Sequence, residues 1–262
     1  MMDGALALKC NAKINIGLFI KGRRPDGYHE IETVYYPVMD MFDDLTVQRL
    51  DGAEAPVLKV SGLAVPGNSE ENLCVRAWKV IKELRPEMPA VTMRLHKRIP
   101  VGSGLGGGSS NAAFVLRALN FLFALGYSQE ELKEIGLKLG ADVPFFLENR
   151  PILARGIGEK FSEVRFNFPY RIEIMTQPIH SDTTLAYKEI DLLKCSLHKN
   201  LERLITSLDV RLWKDHIVND FEPTVFRRFP ELLRVKNYLY KKGALYASMS
   251  GTGSAVYGIF KI

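Results

Sequence analysis

Between residues 99 and 113 the chain reads Ile-Pro-Val-Gly-Ser-Gly-Leu-Gly-Gly-Gly-Ser-Ser-Asn-Ala-Ala. Five of the seven residues from 102 to 108 are glycine. Each glycine costs extra backbone entropy when it is ordered, so ordinary packing does not account for the run. Glycines let a main chain turn its N–H groups toward an anion with no Cβ in the way. Directly behind them, Ala112, Ala113, Val115, Leu116, Leu119 and Leu122 recur at helical spacing, which predicts a helix over 111–125 stopped by Gly126. Such a helix aims its unpaired N–H groups and positive dipole end at the same anion. Ser109 and Ser110 add hydroxyls for phosphate oxygens or Mg²⁺. A flexible glycine hinge is the competing reading, and the strong helix that follows argues against it.

Two other phosphate loops can be tested against the same residues. A P-loop needs Gly-Lys-Ser/Thr at its end, and here Gly108 is followed by Ser109. The dinucleotide pattern G-x-G-x-x-G matches at Gly102, Gly104 and Gly107. However, the acids about 20 residues later, Glu130 and Glu131, belong to a helix cap rather than a strand end.

Elsewhere, strands and helices mix without a regular βαβ rhythm, which predicts an α+β chain in two halves, 1–152 and 153–262. Alternation predicts strands at 6–9, 14–20, within 31–50, and at 57–60, 91–95 and 172–174. Helical spacing predicts helices over 69–84, 201–208 and 230–242, and Ser128 with Glu131 forms a capping box for one more. Strands at 245–249 and 255–260 flank Ser250-Gly251-Thr252-Gly253.

Four more segments bear chemistry. Lys13 and Asn15 alternate with Ile14 and Ile16, so both project from one face of a strand. Taken alone, a strand lysine is usually solvated. Tyr28 and His29 follow a turn at 25–27, an ordinary loop pair or a stacking surface for a base. Asp142 stands between a helix end and Val143-Pro144-Phe145-Phe146, where a turn or capping role is the default. In the 248–254 segment four of seven residues bear hydroxyls, which a hairpin turn alone does not require.

Composition narrows the classes. Net charge is +5, with the basic residues dispersed, which suits small anionic ligands and gives no nucleic-acid platform. No apolar run approaches the ~20 residues of a membrane span, and no secretory signal is visible. Cys10, Cys74 and Cys195 are odd in number and far apart, which suits a reducing cytoplasm.

Taken together, Lys13, the 100–113 loop and the 248–255 loop stand in the order of the three motifs of the GHMP kinases, the superfamily of galactokinase, homoserine, mevalonate and phosphomevalonate kinases, which this chain resembles. The likeness runs from about residue 8 to 260. It is closest to those members whose acceptor is a cytidine-diphosphate-linked methylerythritol, through Ala12-Lys13-Ile14-Asn15, Gly22-Arg23-Arg24, Asp26-Gly27-Tyr28-His29, the glycine loop and residues 141–146. The resemblance implies a ribosomal-S5-like N-terminal domain and a ferredoxin-like C-terminal domain, with ATP and acceptor in the cleft between them. It implies Asp142 as general base with Lys13 beside it. ATP would meet Pro100, Gly102, Gly104, Leu105, Gly106, Gly107, Gly108, Ser109 and Ser110, with Asn72 and Lys97 toward adenine and Gly251, Thr252 and Gly253 as the third-motif loop. Asn15, Tyr28, His29, Tyr35 and Tyr187 would surround the cytidine diphosphate portion. Mg²⁺ is expected with ATP, no protein metal site is assigned, and the chain would act as a monomer or homodimer. Asn11 stands where proline is usual, Ser103 replaces alanine, and Asn111 replaces an aspartate.

Other readings stay open. A homoserine- or mevalonate-type kinase has no need of a base-stacking segment such as 27–29. A silent nucleotide-binding regulator would be signalled by loss of Lys13 or Asp142, and both are present. A nicotinamide dehydrogenase fails on the context of its glycine pattern.

Overall fold

Alternation in the first fifty residues produces two strands far longer than the common 3–10 residues, β1 (Ala5–Arg23) and β2 (His29–Leu50). They are joined by a turn in which Asp26 Oδ1 accepts the Tyr28 N–H. The structure, a computed structural model, describes residues 4–179 and 181–262. The remaining strands are β3 (Val57–Gly62), β4 (Ala90–Lys97), β5 (Ile152–Gly156), β6 (Lys160–Glu163), β7 (Tyr170–Met175), β8 (Tyr246–Met249) and β9 (Val256–Lys261). The helices are α1 (Leu73–Leu84), α2 (Gly107–Leu122), α3 (Gln129–Leu137), α4 (Val143–Glu148), α5 (Thr183–Lys188), α6 (Leu201–Ser207), α7 (Trp213–His216), α8 (Glu222–Arg228) and α9 (Pro230–Lys241).

The mixture is α+β, and contacts group it into two units that interleave along the chain. One unit combines the chain up to Ala12 with Pro37–Val101 and Gly106–Asn149; the other combines Lys13–Tyr36, Gly102–Leu105 and Arg150–Ile262. Grouping by contact therefore differs from a single cut at 152, because β1, β2 and the glycine loop each feed both units.

In the first unit β2 pairs antiparallel with β4, from Asp44 opposite His96 to Leu50 opposite Ala90. Strand β3 pairs parallel with β4. A parallel neighbour needs a crossover, and α1 supplies it, a βαβ unit that the sequence pattern hides. Helix α2 is buried along most of its length, including the run from Ser110 to Leu116, and packs against α1 and α4. It begins at Gly107 rather than Asn111: Gly106, left-handed at φ +72°, ends the loop, and Gly107 and Gly108 form the first turn. Low helix propensity of glycine conceals that turn from a pattern reading. Asn72 caps α1 by accepting the Cys74 N–H, and the Ser128–Glu131 capping box opens α3 as expected.

In the second unit the first part of β2 pairs with β5, and β5 with β6. A separate antiparallel sheet has the order β7-β9-β8, covered by α9. Its core gathers Leu18, Ile20 and Ile31 with Phe221, Val225, Leu232, Leu239, Val256 and Phe260. Phe221 is fully buried and meets the Tyr187 ring edge-on at 4.7 Å. Deleting so large a buried ring costs about 3–5 kcal/mol. Phe221→Ala is therefore expected to lower the urea midpoint by that equivalent, and a loss under ~1 kcal/mol would show that this core refills the space.

Candidate active site

In the first unit the glycine loop runs into α2, whose N-terminus has no side-chain cap among the described residues. The first N–H groups of a helix have no partner within it, and here they face the loop. Ser110 Oγ is fully buried and has no hydrogen-bond partner among the described residues. An orphaned hydroxyl inside an uncapped helix start fits a phosphate oxygen or its metal ion, so the site fits the polyphosphate of ATP. A cavity of about 410 Å³ lined by Val60, Ser61, Leu63, Asn68 and Asn72 lies in the same unit.

Lys97 lies beneath the loop. Its Nζ donates to Asp43 Oδ2 at 2.5 Å and to Asn111 Oδ1 at 3.1 Å, with both charged side chains almost wholly buried, at 2% and 0% exposure. Asn111 Nδ2 returns a bond to Asp43 Oδ2, and Asp43 Oδ1 accepts the N–H groups of Arg98 and Ile99. A Cβ on Gly107 would stand 2.8 Å from Ile99 Cγ2 and 3.1 Å from Lys97 Nζ, which explains a glycine at this point. Asp43 is a site residue that sequence reasoning missed. The only available signal is an acid in a strand at a position where alternation places a buried residue.

In the second unit Lys13 Nζ donates to Asn15 Oδ1 at 2.6 Å and lies 4.9 Å from the Tyr35 ring centroid. The two side chains share one face of β1, as alternation predicts, and both are buried rather than solvated. Asn15 Nδ2 donates to Thr33 Oγ1, which donates to the Gly17 carbonyl. The Lys13 N–H donates to Leu105 O, and the Asn15 N–H to Ser250 Oγ. Ser250 Oγ in turn donates to Gly104 O at 2.9 Å. Gly104 is left-handed at φ +77°, and a Cβ there would fall 2.0 Å from Ser250 O. Asn219 Nδ2 holds the third-motif turn from behind, donating to Met249 O and Gly251 O. Thr252 O accepts from Ser181 Oγ. Neither Asn219 nor Ser181 has a sequence signal of its own.

The aromatic residues of this unit divide. The His29 ring stands 5.2 Å from Tyr187 at 31°. Tyr28 is 61% exposed beside it in sequence. Tyr35 is buried and meets Phe161 edge-on. Partial burial and the Arg23 charge hold the His29 imidazole below its ordinary pKa, which favours its neutral form.

A family model described as GHMP kinases N terminal domain matches residues 72–150, and one described as GHMP kinases C terminal matches 194–261. A relative in Azobacteroides pseudotrichonymphae genomovar CFP2, named 4-diphosphocytidyl-2-C-methyl-D-erythritol kinase, is 40% identical over 96% of this chain and 92% of its own. A crystal structure of 4-(cytidine 5'-diphospho)-2C-methyl-D-erythritol kinase superposes with a TM-score of 0.82 at 34% identity, over 97% of this chain and 90% of that one. A mevalonate kinase from Methanococcus jannaschii shares the fold at 12% identity, with a TM-score of 0.70 over 100% and 92%. This chain belongs to the GHMP kinases, and within them to the family its 40%-identical relative represents.

Asp43→Ala leaves the Lys97 ammonium buried without its counter-ion, a change that costs about 3–5 kcal/mol, read as a lower denaturation midpoint. A loss under ~1 kcal/mol would mean that Asn111 alone satisfies Lys97. His29 is expected to titrate below 6.5 by NMR, and a value at or above 6.5 contradicts the environment described. The sign follows: the unfolded chain takes up a proton that the folded chain resists. This contribution to stability is complete above the ordinary imidazole pKa and is lost as pH falls through the lowered folded value.

Proposed function

We propose that this protein transfers the γ-phosphoryl group of ATP to the 2-hydroxyl of 4-diphosphocytidyl-2-C-methyl-D-erythritol, in the cytoplasm and in isoprenoid precursor biosynthesis. The observation that carries the reading is the relative of that name, 40% identical across nearly the whole chain. The geometry supports it on each side of the reaction. The uncapped start of α2 and the orphaned Ser110 hydroxyl suit the polyphosphate, with Gly106, Gly107, Gly108 and Ser109 supplying a main chain free of steric obstruction. The 410 Å³ cavity beside Asn72 suits the adenosine portion, and Lys97 supports the loop from beneath. The His29–Tyr187 ring pair with exposed Tyr28 offers stacking surfaces to a cytosine, which homoserine and mevalonate would leave unused.

Phosphoryl transfer asks a protein chiefly for alignment and charge neutralisation. In the proposed step the acceptor oxygen bonds to the γ-phosphorus, the bond to the β–γ bridging oxygen breaks, and ADP leaves. Asp142 takes the hydroxyl proton. Lys13 is kept in one orientation by Asn15 Oδ1 and, in this reading, would neutralise charge on the transferred phosphoryl. Asn15 Oδ1 thus orients Lys13, while its Nδ2 donates to Thr33 Oγ1. Mg²⁺ would accompany ATP and screen its phosphate charge, and the orphaned Ser110 hydroxyl would be a candidate to hold it. The family domains divide at 152/153 in this reading, between the two matched stretches.

The test is ATP-dependent phosphorylation of the cytidyl compound by wild-type and Asp142→Asn protein, with homoserine and mevalonate as comparison acceptors. Turnover of the cytidyl compound alone, falling at least ~10²-fold in the variant, is expected. Turnover of another alcohol instead would overturn the acceptor, and an unchanged rate in Asp142→Asn would overturn the base.

A further inference from the structure

Asp142 immediately precedes α4, a helix of six residues. A helix this short has little stability of its own, so its contacts fix where its first residue stands. It is wedged into the core, with Val143, Phe145 and Phe146 fully buried. The side against α3 is so close that a Cβ on Gly136 would lie 2.9 Å from Val143 Cγ1. At the far end Lys133 pairs with Glu148 at 2.6 Å. Asn149 ends the helix in the left-handed conformation, φ +51° and ψ +41°, with its N–H on Phe145 O.

The side chain of Asn149 is half-buried and turns toward β1. Its Nδ2 donates to Asn11 Oδ1 at 3.0 Å, and its Oδ1 accepts from Asn11 Nδ2 at 3.0 Å. Asn11 is 1% exposed and gives its second amide hydrogen to Ala12 O, also at 3.0 Å. Both Asn11 donors and its carbonyl are therefore used. The bond to Ala12 O fixes which Asn11 atom is nitrogen, and the reciprocal pair then fixes Asn149 as well. We propose that Asn11 and Asn149 are positioning residues for the phosphoryl transfer. Their paired amides tie the end of α4 to the segment of β1 that continues into Lys13, and so hold Asp142 in place. The inference rests on Asp142 as the base.

Chemistry makes the pair hard to replace. An aspartate at 11 would turn carboxylate oxygen toward both the Asn149 carbonyl and Ala12 O, leaving buried acceptors facing one another. Glycine at 149 removes the amide yet takes the left-handed conformation freely, so helix termination survives.

The experiment compares steady-state kinetics of Asn11→Asp, Asn149→Gly, the double variant and Asp142→Asn, at a temperature where circular dichroism shows each folded. Asn149→Gly and Asn11→Asp are each expected to lose about 10- to 100-fold in kcat with KM for ATP within about twofold, the pattern of a displaced catalytic group. The double variant is expected to be no slower than the slower single one, because both changes remove the same pair. A lower melting temperature with unchanged kcat in Asn149→Gly would make the pair merely structural and overturn the proposal. Additive losses in the double variant would also overturn it. Full activity in Asp142→Asn would instead remove the reading beneath it. Should Asn11→Asp fail to fold, Asn149→Gly alone decides through its kcat.

Discussion

Gly104 meets the carbonyl of Ser250 at a distance that leaves no room for a β-carbon, and the second unit is arranged around that approach. Ser250 Oγ holds Gly104 O on one side and accepts the Asn15 N–H on the other. Asn15 then orients Lys13, whose own N–H returns to Leu105. Three segments separated by tens to hundreds of residues are thus joined through one hydroxyl and one missing methyl group. The glycine loop derives its shape from this node as much as from its own backbone freedom.

In the first unit the organising force is electrostatic. A buried ammonium tolerates loss of water only when its donors find acceptors, and Lys97 finds Asp43 and Asn111. Asp43 in turn takes two main-chain N–H groups just ahead of the loop, so a single carboxylate fixes both the lysine and the approach to the glycines. Asn111 serves here as a neutral bridge: its carbonyl faces the ammonium and its amide faces the carboxylate, a task that an aspartate at this position would perform only in part.

Much of this was legible in the amino-acid order. Alternation exposed the two long strands, the capping box marked α3, and the glycine-serine run before a strong helix pointed to phosphate. Lys13 and Asn15 were read on one face, and they share it. What stayed hidden was hidden for physical reasons. Glycine is a poor helix former, so the true start of α2 read as loop. Helix α4, at six residues, is too short for helical spacing to reveal, so only a turn or capping role for Asp142 could be read. Asp43, Thr33 and Asn219 act through partners tens of residues away, and nothing in their immediate neighbours names those partners. Asn11 was noticed as a departure from the family pattern, but its partner at 149 could only be found in three dimensions.

The interleaving of the two units also sets an order of events in time. Leu18 and Ile20 leave the ribosome early, yet the residues that cover them, Phe221, Val225 and Leu232, lie about 200 positions later. At ~5–20 residues per second the delay is about 10–40 s. Throughout it an apolar strand has no native partner for that face, whereas closing a loop of this length is slow only on the scale of microseconds to milliseconds. Synthesis rather than chain diffusion therefore governs when the second unit forms, and until then this apolar strand face stays uncovered.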